Sequence, residues 1–202
     1  MRSMAAFVLL SVLLPGFCSA AESVTLEDRF DSELSADWFW GLGTWTTQGG
    51  VLRGYESGPR RHGPVKMRRF PLRDGVVEVD FRLEGRATFA GIIFNGAQER
   101  GHIVHLVIGK DQLRILAHPA KGKTLELFKE PARFEAGQWH HAKIQFQGSQ
   151  MTATVDGKTI TAAHDCIAEQ KLTFGLGGDS GGPEGEKAGA LEFRQLKMTS
   201  RP

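Results

Sequence analysis

The sequence predicts an all-β fold, a two-sheet antiparallel β-sandwich of the jelly-roll kind. Apolar and polar residues alternate with a period of two in several short segments, which is typical of strands that bury one face. Glycine, proline and Asp-Gly dipeptides separate these segments at short intervals. No segment of useful length has the period of an amphipathic helix. These observations favour strands joined by turns, without helices between them.

The clearest strands lie between Trp139 and Lys158. Every second residue is apolar in two consecutive runs, namely Ala142, Ile144 and Phe146, then Met151, Ala153 and Val155. Gly148-Ser149 joins the two runs, and Asp156-Gly157 is suited to the positive φ of a tight hairpin turn, so a third strand is expected from Lys158. A lone hairpin is marginally stable in water, and the apolar face therefore predicts a second, opposing sheet.

The first 21 residues are predicted to be a cleaved secretory signal. Arg2 precedes an apolar run, Pro15-Gly16 ends it, and small residues at positions 19–21 offer a cleavage site. Phe17 before Cys18 disfavours a lipid anchor, since lipidation needs a small residue there. The prediction is an exported or periplasmic protein whose residues 22–202 form one domain.

Charge and cysteine content exclude several classes of protein. Removal of the leader leaves 24 basic and 23 acidic side chains, a balance that indicates no nucleic-acid partner. No later segment is long and apolar enough to span a membrane. Cys166 is the one cysteine left, so no internal disulfide is expected and the fold must depend on its apolar core.

The remaining strands are predicted in chain order from the same alternation. The interval 119–137 lacks it and is interpreted as a connection. A hairpin is expected around Gly49-Gly50, within residues 46–53. The other predicted strands are 24–30, 65–70, 76–83, 88–94, 103–108, 113–117, 171–176 and 190–198.

Several short motifs occur in the order seen in concanavalin A-like and laminin G-like domains. They are Phe30-Asp31, Gly50-Val51-Leu52, Phe81-Arg82, residues 91–94, Trp139, Asp156-Gly157 and Phe193-Arg194. Over nearly the whole mature chain the sequence resembles, more narrowly, the 3-keto-disaccharide hydrolase type of this fold. The resemblance implies an exported glycoside hydrolase that acts on carbohydrate. The alternative is a non-catalytic lectin-like or laminin G-like module that binds a glycan or a protein.

One face of the strand at 76–83 carries the candidate catalytic carboxylates Glu78 and Asp80, with Arg82 as a substrate-binding candidate. Paired carboxylates cleave glycosides with retention when they are roughly 5 Å apart, and residues two apart along one strand face are separated by roughly 6.6 Å. Glu84, six residues from Glu78, is roughly 20 Å away and is excluded as its partner. Because Arg82 shares the face, a solvated ladder of ion pairs is the competing interpretation.

His105 and His102 are the candidate histidines. His105 alternates with apolar neighbours on a central strand, where it is placed to act as a general base or sugar ligand, and His102 lies at the mouth of the same strand. The histidine spacings match no zinc motif. No cofactor is expected, although Asp179, Glu184 and Glu186 would be chemically suited to Ca²⁺.

Tryptophans divide into site candidates and a core candidate. Trp40 and Trp45 lie in a glycine-broken aromatic segment, where they could stack on sugar rings, although core packing is the usual role of tryptophan in a sandwich. Trp139 is expected to anchor the core between the sheets, beside Ile144 and Phe81.

Overall fold

The computed structural model describes residues 23–59 and 62–201. The predicted leader, with Cys18, lies outside the described residues. Short 3₁₀ turns occur at Asp165–Ala168 and Gly185–Lys187. The strands are β1 (Val24–Asp28), β2 (Trp40–Leu42), β3 (Thr44–Gln48), β4 (Val51–Tyr55), β5 (Val65–Leu72), β6 (Asp74–Gly85), β7 (Phe89–Asn95), β8 (His102–Gly109), β9 (Gln112–Ala117), β10 (Leu125–Pro131), β11 (His140–Gln147), β12 (Gln150–Val155), β13 (Lys158–Ala163), β14 (Lys171–Asp179) and β15 (Gly189–Arg201).

These strands form two antiparallel sheets, which confirms the predicted class. The eight-stranded sheet has the order β13-β12-β11-β6-β15-β4-β3, and β1 pairs with β15. The seven-stranded sheet has the order β10-β9-β8-β7-β14-β5-β2. Neighbours in both sheets are often distant in sequence, because successive segments of the chain alternate between the sheets.

The core lies between the two sheets and is built by alternation. In β6 the apolar residues Val77, Val79, Phe81 and Leu83 are buried, and the charged residues between them are only partly covered. Phe94 of β7 meets Phe146 of β11 edge to face, with ring centroids 4.7 Å apart. Because β7 and β11 belong to different sheets, this aromatic contact ties the two layers together.

The predicted central hairpin is confirmed, including its turns. β11, β12 and β13 pair consecutively, and β11 also pairs with β6. Asp156 has φ 47° and Gly157 φ 83°, the pair of positive values that a type I′ turn requires.

The interpretation of residues 119–137 as a connection was wrong, because strand β10 lies within it. Among the described strands β10 pairs with β9 alone, at the edge of the seven-stranded sheet, and a register shift interrupts the pairing between Glu126 and Phe128. An edge strand with a bulge does not need strict alternation, and Pro131 is tolerated at its end because that position needs no ladder donor.

The state of the cysteine and the length of the helical turns can be compared with the predictions from the sequence. Cys166 is a buried free thiol within the described part of the chain. None of the helical turns in that part has the length and hydropathy needed to cross a bilayer.

Lys171 is fully buried at the start of β14. Its ammonium group donates hydrogen bonds to the carbonyl oxygens of Arg73, at 2.9 Å, and Ile167, and it lies 4.3 Å from the ring centroid of Phe146. Within the described residues no carboxylate pairs with it, and burial lowers the pKa of Lys171 from 10.5 to about 8. The interior therefore shifts the protonation equilibrium toward the neutral amine.

We expect the folded protein to gain stability from Lys171 as the pH rises. Between about pH 8 and pH 10.5 the unfolded chain keeps a proton on Lys171 that the folded chain has lost, so the free energy of unfolding increases with pH. The full gain is about 3 kcal/mol. Urea unfolding from pH 7.5 to 10 measures most of this gain.

Lys171→Met is the matched control, since it cannot titrate and the other ionisable groups remain. The difference in unfolding free energy between wild type and Lys171→Met should grow in favour of wild type across this window. A constant difference would contradict the lowered pKa of Lys171. If Lys171→Met does not fold, Lys171→Arg, which stays charged throughout, provides the same comparison.

Candidate functional site

The candidate residues from the sequence do not form one cluster, because they lie on opposite sides of the sandwich. Glu78, Asp80 and Arg82 are on the outer face of the eight-stranded sheet. His102, His105 and Trp40 line a pocket on the seven-stranded sheet. The sandwich core separates the two groups, so no single small molecule can contact both.

The outer face of the eight-stranded sheet is a network of ion pairs. Asp80 Oδ1 lies 2.8 Å from His141 Nδ1, and Asp80 Oδ2 accepts a hydrogen bond of 3.1 Å from Arg194 Nε. Glu78 pairs with Lys143 at 3.1 Å. Arg82 pairs with Glu84 and with buried Glu192. This geometry is that of the charged ladder, in which each carboxylate already has a cationic partner. A polar depression of about 570 Å³, lined in part by Glu78, Asp80 and Arg194, opens beside it.

The expectation that Trp139 anchors the core was wrong. Trp139 is half-buried on the outer face of the eight-stranded sheet, where the guanidinium carbons of Arg82 and Arg194 lie 4.6 Å and 4.2 Å from its ring centroid. The inward position belongs to His140, which packs on Phe81 and Phe134. Alternation could have shown this, since Ala142 and Ile144 point inward and an odd-numbered neighbour must point outward.

Trp45 packs toward the interior of the sandwich. Its ring stacks against Phe193, with centroids 6.4 Å apart, and its Nε1 donates a 2.8 Å hydrogen bond to the carbonyl oxygen of Leu42. Trp45 is thus held by packing, and a role in binding sugar remains a prediction that these contacts do not favour.

A cavity of about 680 Å³ lies on the outer face of the seven-stranded sheet. Strand register places its lining in three rows that cross the sheet. The polar row contains His102, Asn95 and Thr173, which face one another on β8, β7 and β14. The middle row contains His105, Ile93, Gly175, Met67 and Trp40. The apolar row contains Val107, Gly91, Gly177, Val65 and Leu42.

A β-bulge brings the two candidate histidines to the same face. Val104 pairs with Phe94 and His102 pairs with Asn95, which leaves Ile103 as an extra residue on β8. Ile103 and Val104 are both buried, so His102 and His105 point outward although they are three positions apart. Their ring centroids are 4.4 Å apart, and His118 lies 5.3 Å from His102 and 4.5 Å from His105.

The histidines favour their neutral forms. Burial, with smaller contributions from His102 and His118, lowers the pKa of His105 well below its usual value. Burial also lowers the pKa of His102 and of His118. Nε2 of His105 and Nε2 of His118 are enclosed and have no hydrogen-bond partner in the described part of the chain. Such unpaired buried groups are rare in folded proteins.

The side of the pocket formed by β2, across the sheet from the histidines, presents aromatic rings to solvent. Trp40 is 46% exposed and Phe39 is 44% exposed, unusually high values for such large apolar side chains. The guanidinium group of Arg69 lies 4.4 Å from the ring centroid of Phe39 and holds one side of it. An exposed indole beside a cavity is a stacking surface for a ring of a ligand.

The described residues contain no group of three or more histidine, cysteine, aspartate or glutamate side chains that could hold a metal ion. Each calcium candidate has another partner: Asp179 accepts from Thr88 and from the backbone of Gly181, Glu184 pairs with Arg86, and Glu186 pairs with Arg53. Calcium binding by these residues stays a prediction.

Comparison with known proteins identifies the family. The model of the 3-keto-alpha-glucoside-1,2-lyase-like domain matches residues 27–199. This chain is a member of that family. The search of the curated proteins found no match.

Solved structures similar to this lyase-like domain share its concanavalin A-like fold. The β-glucanase of Bacillus licheniformis has a TM-score of 0.64 at 10% identity, over 88% of this chain and 98% of that one. The carbohydrate-binding module CBM66 of Bacillus subtilis has a TM-score of 0.59 at 15% identity, over 77% and 91%. The exoplasmic/lumenal domain of VIP36, in a form with Ca²⁺ and Man3GlcNAc, has a TM-score of 0.64 at 11% identity, over 88% of both chains. At these identities the likeness concerns the fold alone.

Sequence reasoning missed several residues that line the pocket of the lyase-like domain. Asn95 and Thr173 lie at the ends of apolar segments and carry no motif, so only register reveals that they meet His102. His118 was missed because it follows β9 and reaches the cluster from the side. The glycine within the apolar run 88–94 was a usable signal, since such a glycine often marks a close approach of a ligand.

We expect Trp139→Ala to destabilise the lyase-like domain only modestly. The variant loses two partly solvated contacts with arginine and a half-buried ring, which predicts a loss of about 1–2 kcal/mol. Trp38→Ala is the matched comparison, because Trp38 is 4% exposed, packs on Phe30 and Phe174 and donates to Asp28. Its loss should cost about 3–5 kcal/mol. Urea unfolding measures both, and equal losses would contradict the placement of Trp139 on the surface.

Proposed function

We propose that this domain cleaves 3-keto-glycosides by eliminating the aglycone across C1 and C2 of the oxidised sugar, in the pocket of the seven-stranded sheet. The observation that carries the proposal is the combination of a half-buried histidine, His105, with a polar row on one wall of a cavity whose described lining contains no carboxylate. Such a site is suited to removing a carbon-bound proton and unsuited to two-carboxylate hydrolysis.

The chemistry follows from the ketone. A carbonyl at C3 acidifies the hydrogen on C2, and its removal gives an enolate whose charge lies on the C3 oxygen. When the C3 carbonyl re-forms, the electron pair of the former C2–H bond becomes the C1–C2 double bond and the C1–O bond breaks. The base keeps the C2 proton, and the departing oxygen takes a proton from water. The products are an unsaturated 3-keto sugar and the free alcohol.

His105 is proposed as the base. Its lowered pKa keeps the ring unprotonated at neutral pH, so it can accept a proton without first losing one. Nε2 of His105 is enclosed, so the proposal assigns the base to Nδ1, which has no competing partner in the described part of the chain. The negative charge that develops on the substrate then stabilises the imidazolium ion as it forms.

The polar row is proposed to hold the sugar. His102 Nδ1 and Asn95 Oδ1 are 2.7 Å apart, and in the tautomer with a proton on Nδ1 His102 donates to Asn95. The amide NH₂ of Asn95 and the hydroxyl group of Thr173 can then donate to the C3 oxygen, where charge develops. Trp40 supplies a stacking surface at the far side of the pocket.

Glu78, Asp80 and Arg82 have no part in this mechanism, because they lie on the other sheet and are paired with Lys143, His141, Arg194 and Glu192. Protonating or freeing one of these carboxylates would break an ion pair. Their contribution is to the solvated surface of the eight-stranded sheet.

A non-catalytic glycan-binding module is the second candidate function. Exposed Trp40 and Phe39 favour it, since two solvent-facing rings beside a cavity can hold a sugar without any chemistry. In either function the partner is carbohydrate, and export through the predicted leader is part of the proposal.

We expect His105→Asn to reduce kcat for methyl 3-keto-α-glucoside by about 10²–10⁴-fold, because the general base is lost. Liquid chromatography of the released unsaturated sugar measures it. The double variant Glu78→Gln/Asp80→Asn is the control and should keep wild-type turnover. Full activity in His105→Asn would exclude His105 as the base, and loss of activity in the double variant would move the site to the other sheet. Binding of methyl α-glucoside by wild type with no turnover of the keto sugar would select the binding module.

The pH profile provides a separate test. Because the pKa of His105 lies below the usual value of 6.5, its neutral form persists into acidic solution. The acidic limb of kcat/KM should therefore fall below pH 6.5, since kcat/KM reports the free enzyme. An acidic limb above pH 6.5 would contradict His105 as the base.

A further inference from the structure

The pocket has a polar end and an apolar end, and the order of the three rows sets the distance between them. Asn95, Ile93 and Gly91 follow one another along β7, one in each row. Alternate residues of a strand are separated by roughly 6.6 Å, so the apolar row lies roughly 13 Å from the polar row. A ligand that spans the pocket must be polar at one end only.

The apolar end adjoins a hydrophobic cluster outside the main core. In this cluster Val65 of the apolar row packs with Met67 and Ile93 of the middle row, each with at most 9% of its surface exposed. Leu42 and Val107 continue the same surface on the flanking strands. Side chains of this kind offer no partner to a hydroxyl group, and desolvating a hydroxyl group against them is unfavourable.

Gly91, in the middle of the apolar row, leaves room for a methyl group. A Cβ atom built on Gly91 would have only ordinary contacts, 3.7 Å to Gly177 O and 3.9 Å to Phe89 Cε2, and its φ is not positive. At Gly175 a Cβ would overlap Met67 Sδ, and at Gly177 it would lie 2.7 Å from Pro64 O. Packing therefore explains the other two glycines and does not explain Gly91. A glycine inside a strand without such a reason is typical of a place where a ligand approaches the backbone.

We propose that the substrates of this pocket are 3-keto-glycosides whose aglycone is an apolar ring, bound over the apolar row with Gly91 beneath it. This inference rests on the proposed elimination, and it specifies which aglycone leaves. The oxidised sugar occupies the polar row beside His105. Its glycosidic oxygen then points toward the apolar row, and a second sugar ring in that place would bring hydroxyl groups against hydrocarbon.

The experiment compares aglycones of equal leaving ability. Benzyl and methyl 3-keto-α-glucosides release alcohols of similar acidity, so a difference in kcat/KM reports binding of the ring. We expect the benzyl glycoside to be preferred by about tenfold or more, and 3-keto-maltose to fall near the methyl glycoside. Calorimetry with benzyl and methyl α-glucosides, which lack the ketone and do not react, measures the same preference without turnover.

Gly91→Val is the decisive variant. Its side chain occupies the space above the backbone in the apolar row. Valine is favoured in strands. The substitution does not change the polar row or His105. The preference for the benzyl glycoside should disappear, so that the kcat/KM values of the variant for the two glycosides agree within about twofold. Gly91→Ala should have an intermediate effect. Thr161→Val, an exposed position on the eight-stranded sheet, is the control for an added apolar group and should change neither substrate.

The outcomes separate this inference from the proposed function. Elimination of both glycosides with equal kcat/KM, unchanged in Gly91→Val, would overturn the apolar aglycone and leave the elimination standing. Preferential binding of benzyl α-glucoside that Gly91→Val abolishes, with no elimination of either keto sugar, would support the apolar site and refute the lyase activity. Absence of both binding and elimination would refute both.

Discussion

Burial of one face of each sheet against the other is the constraint on which this structure depends. Because successive residues of a strand point to opposite sides, each strand in the sandwich gives half its side chains to the core. The long central strands β6 and β15 pair over most of their length, and Phe81 and Phe193 face each other across that pairing. Phe94 and Phe146 then meet across the gap between the sheets. The outward-facing side chains of each strand are not needed for the core and are available for other roles.

The two outer faces have opposite chemistry. On the eight-stranded sheet, charged residues of both signs alternate between neighbouring strands, and most of the carboxylates have a cationic neighbour within hydrogen-bonding distance. On the seven-stranded sheet an apolar cluster packs on the outer face, and a cavity lies above it. Solvated ion pairs contribute little to stability, whereas an apolar surface left facing a cavity has an unfavourable contact with water that a ligand would remove.

Much of the fold follows from the sequence because alternation is a local property. The faces of β6, the hairpin of β11 and β12, and the turn at Asp156 were all predicted from neighbours a few residues apart. Edge strand β10 was not, since it buries too little of either face to keep a pattern. Trp139 was placed in the core by residue type, although the parity of its neighbours pointed to the surface.

Much less of the candidate site was predictable. The alternation of apolar and polar residues predicts that Glu78 and His105 each lie on a polar face. It does not predict that those faces belong to different sheets. The rows of the pocket join β8, β7, β14, β5 and β2, and their register depends on the pairing of segments up to about a hundred residues apart. His105, His102 and Trp40 were identified singly by residue type and position, and only the assembled sheet brings them into one cavity.

Because of the bulge at Ile103, the position of His102 and His105 on one face depends on the number of residues between them in β8. In a regular strand, positions three apart face opposite ways, so His102 and His105 would lie on different sides. The extra residue in the bulge puts both histidines on the same face. This effect comes from the additional backbone residue and does not depend on which apolar side chain occupies position 103. Substitution of Ile103 by another buried aliphatic residue leaves the arrangement intact, but one residue inserted between the histidines would turn one ring into the core. Among related chains, the interval between the two histidines is therefore a more informative character than the identity of the residues between them.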